Sequence, residues 1–440
     1  SDTRPMSTKR KRAAEPAAEE NIASTIAADA DPAAGLVQIA IAEKGMSALV
    51  KVGDRFATEK PFKGMRIAVN LHVTKETAVL IRALAKGGAK IALTGCNAFS
   101  TQDNIAAALA SEGIEVHCKH GCSKEEYYEY VRKVLATKPQ LIVDDGCDLT
   151  VEAHKLGADF LENIIGGCEQ TTSGVIRAKN MTKSGALKFP LIATNDNKTK
   201  HLLDNYYGTG QSVWDGIMRA TAMFIPSKVA VVCGYGACGK GIALRAKGMG
   251  ARVIVTEVHP FQALQAVYDG FVVMPVAEAA KEGDVFCTAT GNKHILSAAH
   301  MKTMKSGAVL CNAGQFDYEL DLDGLRAMQV GESRMIRPNM EEITIKGGKV
   351  IHLLGGGNLI NLSCAEGHPC EVMSTSFMGQ ALACEHLVKN ATKLAAGCMN
   401  LPEDLDDKIA ALQLTALGVQ YDTPTKEQAA YAKSWNEGTE

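Results

Sequence analysis

The sequence has almost no excess charge of either sign: 47 Lys and Arg face 49 Asp and Glu, a net charge of −2 over 440 residues. That balance excludes a surface built as a whole to grip nucleic acid or an anionic membrane, so neither is an expected partner. No apolar run approaches the ~20 residues of a membrane-spanning helix. The 13 cysteines are odd in number and scattered from Cys96 to Cys398 without framework spacing. They argue against a disulfide-stapled fold and for reduced thiols in a cytoplasmic protein. No apolar segment follows the first charges, so no export signal is expected. What remains is an ordinary globular composition, 46% hydrophobic and 22% charged. A chain of this length buries a large core without a disulfide or metal staple.

Residues 1–32 are rich in Ala and charged residues and read as a disordered tail. Their Lys9-Arg10-Lys11-Arg12 run is compatible with a nuclear signal or a nucleic-acid patch, but a solvated charge run is the favoured reading. From residue 33 onward, apolar strands alternate with amphipathic helices. Met65–Asn70, a helix over Lys75–Lys86 and Lys90–Leu93 form one strand–helix–strand unit. Lys228–Val232, a helix and Arg252–Val255 form a second. Short β-branched strands separated by helices predict parallel sheets covered on both faces. The distance between the two units predicts two doubly wound domains with a boundary near Asn205–Asp215.

The second unit contains Val231-Val232-Cys233-Gly234-Tyr235-Gly236-Ala237-Cys238-Gly239. A G-x-G-x-x-G motif alone is weak. Here it follows a strand, opens a helix, and is followed by an acid, Glu257, at the end of the next strand. That combination is the dinucleotide fingerprint of a Rossmann domain. Gly234 permits the tight turn, Gly236 admits a pyrophosphate at the helix N-terminus, and Gly239 lets helix and strand pack closely. Ala237 and Cys238 lie within the same turn. Glu257 would accept from ribose hydroxyls and repel a 2′-phosphate, so the expected cofactor is NAD.

Several polar clusters fall where strands end: His72–Thr77, Asn97–Asp103, Asp144–Gly146, Glu169–Gly174 and Asn195–Asn205. With Tyr207–Ser212, Cys311–Gly314 and Ala365-Glu366-Gly367-His368-Pro369, they form a set that resembles the S-adenosyl-L-homocysteine hydrolase family from about residue 34 to the end. The resemblance implies an α/β fold of two doubly wound Rossmann-like domains with parallel sheets. The substrate domain would comprise 33–205 and 366–415, the inserted NAD domain 206–365, and a C-terminal tail 416–440. It implies a homotetramer acting on a small nucleoside substrate in one-carbon metabolism.

The chemistry implied by the resemblance is redox-neutral. Bound NAD⁺ oxidises a nucleoside 3′-hydroxyl, the C4′ proton is acidified and leaves, the 5′ thiolate is eliminated, water adds, and the ketone is reduced back. By the same resemblance, Lys200 and Asp204 would handle the 3′-hydroxyl. Asp145 and His72 would transfer protons by C4′ and C5′, with Gln315 close to the reacting 5′ end. Thr74 and Glu76 would meet the base, with Met373 and Phe377 lining its pocket and Gln170 on the ribose. Thr171, Thr172, Ser173, Asn205 and Asn361 would hold NAD, and the segment around His368 would face the bound molecules.

The sequence departs from that pattern in informative places. Gln170 replaces a ribose-binding glutamate and Gln315 replaces a histidine. Neither glutamine shuttles protons near neutral pH. Asn358 replaces an arginine and His259 an aspartate. The C-terminus lacks the Lys- and Tyr-bearing tail of many members and resembles a short-tailed archaeal and thermophile branch. Two further readings follow: a related oxidation and 5′-elimination on another nucleoside, such as dehydration, or a binding-only pseudoenzyme. Retention of Lys200 and Asp204 argues against the latter. His117, Cys118, His120 and Cys122 offer zinc-type ligands, but their tight spacing favours a surface loop after a strand, and no metal is expected.

Overall fold

The computed structural model describes residues 24–438. The first part of the chain contributes β1 (Arg66–Leu71), β2 (Lys90–Gly95), β3 (Glu115–His117), β4 (Leu141–Asp144), β5 (Gly166–Glu169) and β6 (Pro190–Ala193). A second set follows: β7 (Val229–Cys233), β8 (Arg252–Thr256), β9 (Val272–Val273), β10 (Val285–Thr288), β11 (Ala308–Asn312), β12 (Arg334–Arg337), β13 (Met340–Ile345) and β14 (Lys349–Leu354). A last strand, β15 (Gly397–Met399), returns to the first sheet. The sheets run β15-β6-β5-β4-β1-β2-β3 and β12-β13-β14-β11-β10-β7-β8-β9.

The first sheet is wholly parallel. Its central strands are apolar and buried along nearly their full length, as a sheet covered by helices on both faces requires. The second sheet departs from the parallel expectation at one edge. There β13 runs antiparallel to β14, and β12 antiparallel to β13. The cause is local: β13 and β14 are joined by Lys346-Gly347-Gly348 alone, with both glycines at positive φ. A link that short makes a hairpin, whereas a parallel crossover needs a dozen or more residues.

In each sheet the chain reverses its winding beside the central strand. β1 lies between β4 and β2, and β7 lies between β10 and β8. The loops leaving adjacent strands diverge there and open a crevice at the carboxyl ends, the ligand position of open α/β sheets.

The expected disordered tail is too long at its inner end. Thr25 pairs with the free edge of β3, its N–H donating to Val116 O at 2.8 Å and its carbonyl accepting from Cys118 N–H at 2.9 Å. The edge strand's unused backbone groups reward that pairing. Asp31 then caps the Pro32–Gly45 helix. The Lys9–Arg12 run lies outside the described residues. Among the described residues, no single helix is long and apolar enough to cross a membrane.

Candidate active site

The first crevice is built on a strand pairing. Asn70 of β1 stands opposite Asp144 of β4, and Asn70 Nδ2 donates to Asp144 Oδ1 at 3.0 Å. The other Asp144 oxygen accepts from Thr150 N–H at 2.7 Å. With the two strand ends so joined, the residues that follow them meet. His72 Nε2 lies 3.8 Å from Asp145 Oδ2, and His72 Nδ1 is 2.6 Å from Ser100 Oγ. Cys96, after β2, completes a group with His72 and Asp145 whose ligating atoms lie within 4.8 Å of one another.

The loop carrying Asp145 is held from beneath. Glu169, fully buried at the end of β5, accepts from Gly146 N–H and Thr171 N–H, each at 2.9 Å. A Cβ on Gly174 would strike the Glu169 carboxyl, so the glycine makes room for it. Arg177 donates to the Gly146 carbonyl at 2.5 Å and to Asp148 at 2.7 Å.

Burial shapes the protonation of this group. His72 is held down to about 4, chiefly by desolvation and then by its neighbours His368 and Lys200, so it is neutral near pH 7. Asp145 is raised by burial, with Lys200 opposing the rise and Asp204 adding to it. Glu169 is raised by burial and by the carboxyls of Asp144 and Asp145.

Facing them is Lys200, only 6% exposed. It begins a π-helical turn over Lys200–Gly208. Such a turn stacks residues five apart, and Lys200 Nζ donates to Asn205 Oδ1 at 2.6 Å while Asp204 Oδ2 stands 3.8 Å away. Asn195 Oδ1 accepts from both Lys200, at 3.2 Å, and Asn205, at 3.1 Å. Burial by itself would raise Asp204. Lys200, His368 and the Ser376 hydroxyl outweigh it and hold the carboxyl well below the usual range.

The second crevice holds the glycine turn. Gly234 has φ +100, and a Cβ on Gly239 would collide with the Gly234 carbonyl. Nothing lies near a Cβ built on Gly236, where the Ala237–Gly248 helix starts without a side-chain cap. Its first N–H groups are thus left for an anion. Glu257 is more committed than expected: its oxygens accept from Tyr235, Val258 and His259 N–H groups at 2.7–2.9 Å. The carboxylate fixes the turn as well as standing at the ribose position of the fingerprint.

One cavity joins the two crevices. His72, Thr74, Glu76, Gln170, Lys200 and Asp204 line it together with Thr171, Asn205, Cys238, Gln315, Asn361, His368, Met373 and Phe377. Thr172 is exposed, with its hydroxyl 3.3 Å from Asn195 Oδ1, and Ser173 Oγ is buried without a partner among the described residues. Neither lines the cavity. His368, expected beside the bound molecules, turns its imidazole onto Asp204 and, at 3.2 Å, onto Thr209 Oγ1. Gln315 approaches Cys96 Sγ at 3.9 Å. Asn358 closes a local turn on Gly355 O at 3.1 Å.

The His117–Cys122 segment is less exposed than a surface loop. His117 and Cys118 are buried at the end of β3, with His117 Nδ1 3.1 Å from Thr25 Oγ1. Sequence reasoning missed Cys96 and Ser376 and reached Glu169 and Asn195 only as members of polar clusters at strand ends. Ser376 carries no signal of its own, being the last of three successive hydroxyl residues, Ser374-Thr375-Ser376, in a helix.

A dinucleotide turn opening into a buried lysine–carboxylate site defines an NAD-dependent enzyme of two Rossmann-like halves. A sequence profile described as "S-adenosyl-L-homocysteine hydrolase, NAD binding domain" matches residues 205–367, and one described as "S-adenosyl-L-homocysteine hydrolase" matches residues 25–160. Adenosylhomocysteinase of Saccharolobus solfataricus is 51% identical over 406 residues, covering 92% of this chain and 97% of that protein. S-inosyl-L-homocysteine hydrolase of Methanocaldococcus jannaschii is 50% identical over 398 residues, covering 90% and 95%. Adenosylhomocysteinase of Gloeobacter violaceus is 49% identical over 409 residues, covering 93% and 95%. The chain belongs to the S-adenosyl-L-homocysteine hydrolase family, and its cofactor is NAD.

Proposed function

We propose that the protein cleaves S-adenosyl-L-homocysteine, with water, to adenosine and homocysteine. The observation that carries this reading is the shared cavity, in which Cys238 of the dinucleotide turn and the Lys200–Asp204 pair line the same space. The bound NAD supplies reversible oxidation of a sugar hydroxyl.

The protein's part is to hold that hydroxyl and move protons. Lys200, kept by Asn195, Asn205 and Asp204, receives the 3′-hydroxyl proton. Asp145 and neutral His72 face each other where the C4′ proton leaves and the 5′ group departs. The elimination is lyase chemistry within a net hydrolysis. Thr74, Glu76, Met373 and Phe377 take the base and Gln170 the ribose. Thr171, Thr172, Ser173, Asn205, Asn361 and the segment around His368 are assigned to the cofactor side, with Gly234, Gly236, Ala237, Cys238, Gly239 and Glu257. Burial of Asp145, Gln170, Lys200 and Asp204 keeps bulk water from the reactive ketone.

The test is mass-spectrometric product analysis of the NAD-loaded protein incubated with S-adenosyl-L-homocysteine, and in parallel with S-inosyl-L-homocysteine. Adenosine and homocysteine are the expected products. NAD reduction without thioether cleavage would instead point to a different 5′-elimination, which the missing imidazole at Gln315 makes conceivable. The family comparisons favour hydrolysis.

We assign residues 33–205 and 366–415 to the substrate domain and 206–365 to the cofactor domain, since the chain passes between the sheets at the π-helical turn and again after Leu354. A homotetramer is supported by the C-terminal segment, where Tyr421, Tyr431 and Trp435 (94% exposed) stay exposed among the described residues. Light scattering giving four copies is the expected result. A cytoplasmic setting is supported by thirteen cysteines, all free.

A further inference from the structure

Behind Asp204, the hydrogen bonds have one self-consistent direction. Ser376 is fully buried in the Cys370–Lys389 helix. Its Oγ is 2.7 Å from Asp204 Oδ2 and 2.6 Å from Gln170 Nε2. An ionised carboxylate only accepts, so the single Ser376 hydroxyl proton goes to Asp204. The Ser376 oxygen must then accept, and the Gln170 amide N–H supplies the bond. That orientation leaves Gln170 Oε1 buried and without a partner among the described residues, although Gln170 lines the cavity. A buried carbonyl without a donor is costly and marks a place where a ligand brings one.

We propose that Ser376 is a positioning residue: it ties Asp204 to Gln170 in a one-way relay and locks the Gln170 amide so that its carbonyl receives a hydroxyl of the substrate. That this hydroxyl belongs to a nucleoside sugar rests on the function proposed above; the relay does not. The relay also accounts for glutamine at this position. A glutamate there would set two carboxylates against one hydroxyl proton. The conflict ends only when the glutamate takes up a proton and donates it to Ser376, restoring the same pattern. Lys200 and His368 flank Asp204. Asp145 also faces it, while Glu169 and the Asp144 carbonyl adjoin Gln170, whose N–H donates to that carbonyl at 2.9 Å. The acidic neighbours favour the extra proton.

The test compares the wild-type NAD-bound protein with Gln170→Glu, Ser376→Ala and Ser376→Thr. Infrared titration without substrate is expected to show one additional protonated carboxyl near pH 7 in Gln170→Glu, and its absence overturns the relay. Mixing with adenosine reads reduction of the bound NAD by absorbance. The rate of Gln170→Glu relative to wild type is expected to fall about tenfold between about pH 6 and about pH 8.5, as the glutamate loses the proton. Ser376→Ala is expected to lower the rate about tenfold, and Ser376→Thr, which keeps the hydroxyl, to recover most of it. A flat Gln170→Glu ratio, or a Ser376→Ala variant as fast as wild type, overturns the proposal. Should wild type fail to reduce NAD with adenosine, the proposed function falls, and the infrared titration still decides the relay.

Discussion

Lys200 Nζ stands 2.6 Å from Asn205 Oδ1, five residues on, and 3.8 Å from Asp204 Oδ2, four residues on. The closer contact is the one the π-helical turn creates. An α-helical turn would have favoured the ion pair at four. The lysine is thus held mainly by neutral amide oxygens, while the carboxylate, one step back, is engaged by Ser376 and His368.

Lys200→Met should leave NAD binding in place and lower adenosine-driven NAD reduction by about 10²–10⁴-fold, the usual range for a general base. Stopped-flow absorbance on the NAD-bound variant measures it. Asn205→Ala should have a smaller effect of the same kind, since Asn195 still accepts from the lysine.

Gln315→His should introduce an ionisation between about pH 5 and pH 8 into the pH profile of thioether cleavage, because an unperturbed imidazole titrates there. The new side chain would sit by Cys96 and His72, adding a second imidazole beside a His72 that is neutral near pH 7. The check is the initial rate of homocysteine release across that range, compared with wild type.

Gly239→Ala should cost about 1–3 kcal/mol and weaken NAD retention, because the added methyl meets the Gly234 carbonyl with no flexible side chain to yield. Thermal melting with and without added NAD measures both effects.

The carboxyl cluster predicts the sign of the alkaline stability limb. Asp144, Asp145 and Glu169 are all raised, chiefly by burial. Between the ordinary carboxylate range and those raised values the folded state binds more protons than the unfolded state, so stability falls as pH rises. Asp204 is lowered and acts oppositely, losing its contribution as pH falls. Melting temperature should therefore peak in weak acid. Glu169→Gln, which mimics the protonated form, should flatten the decline on the alkaline side in a calorimetric pH series.

Much of the fold was legible because its signals are local. The strand–helix–strand periodicity places a helix at about Lys75–Lys86, where it stands, and β1, β2, β7 and β8 lie within a residue or two of the apolar runs that mark them. The glycine turn was equally plain, since close backbone approach permits almost no other residue. The antiparallel edge of the second sheet was missed even though Gly347-Gly348 sat in view, because the alternation of strands and helices was followed past the point where it ended. Thr25 was missed because its order comes from a free strand edge 90 residues away, and nothing in an Ala-rich tail announces such a partner.

Site residues divide in the same way. Lys200, Asp204, Asp145 and His72 were legible as members of polar clusters at strand ends, and the family resemblance alone singled them out within those clusters. Their contacts were not legible. Ser376 reaches Asp204 across 172 residues, and Gln170 across 206. His368 lines the cavity, and nothing in its loop sequence signals that its imidazole also meets Asp204.

The sequence by itself determined the doubly wound class, the position of the dinucleotide turn, and which polar residues stand at strand ends, because each depends on periodicity or on steric limits within a few residues. Only the tertiary structure decided which of those residues touch, how far burial moves their protons, and which way the hydrogen bonds run. Those properties depend on desolvation and on side chains brought together by long-range packing, and no short stretch of chain encodes them.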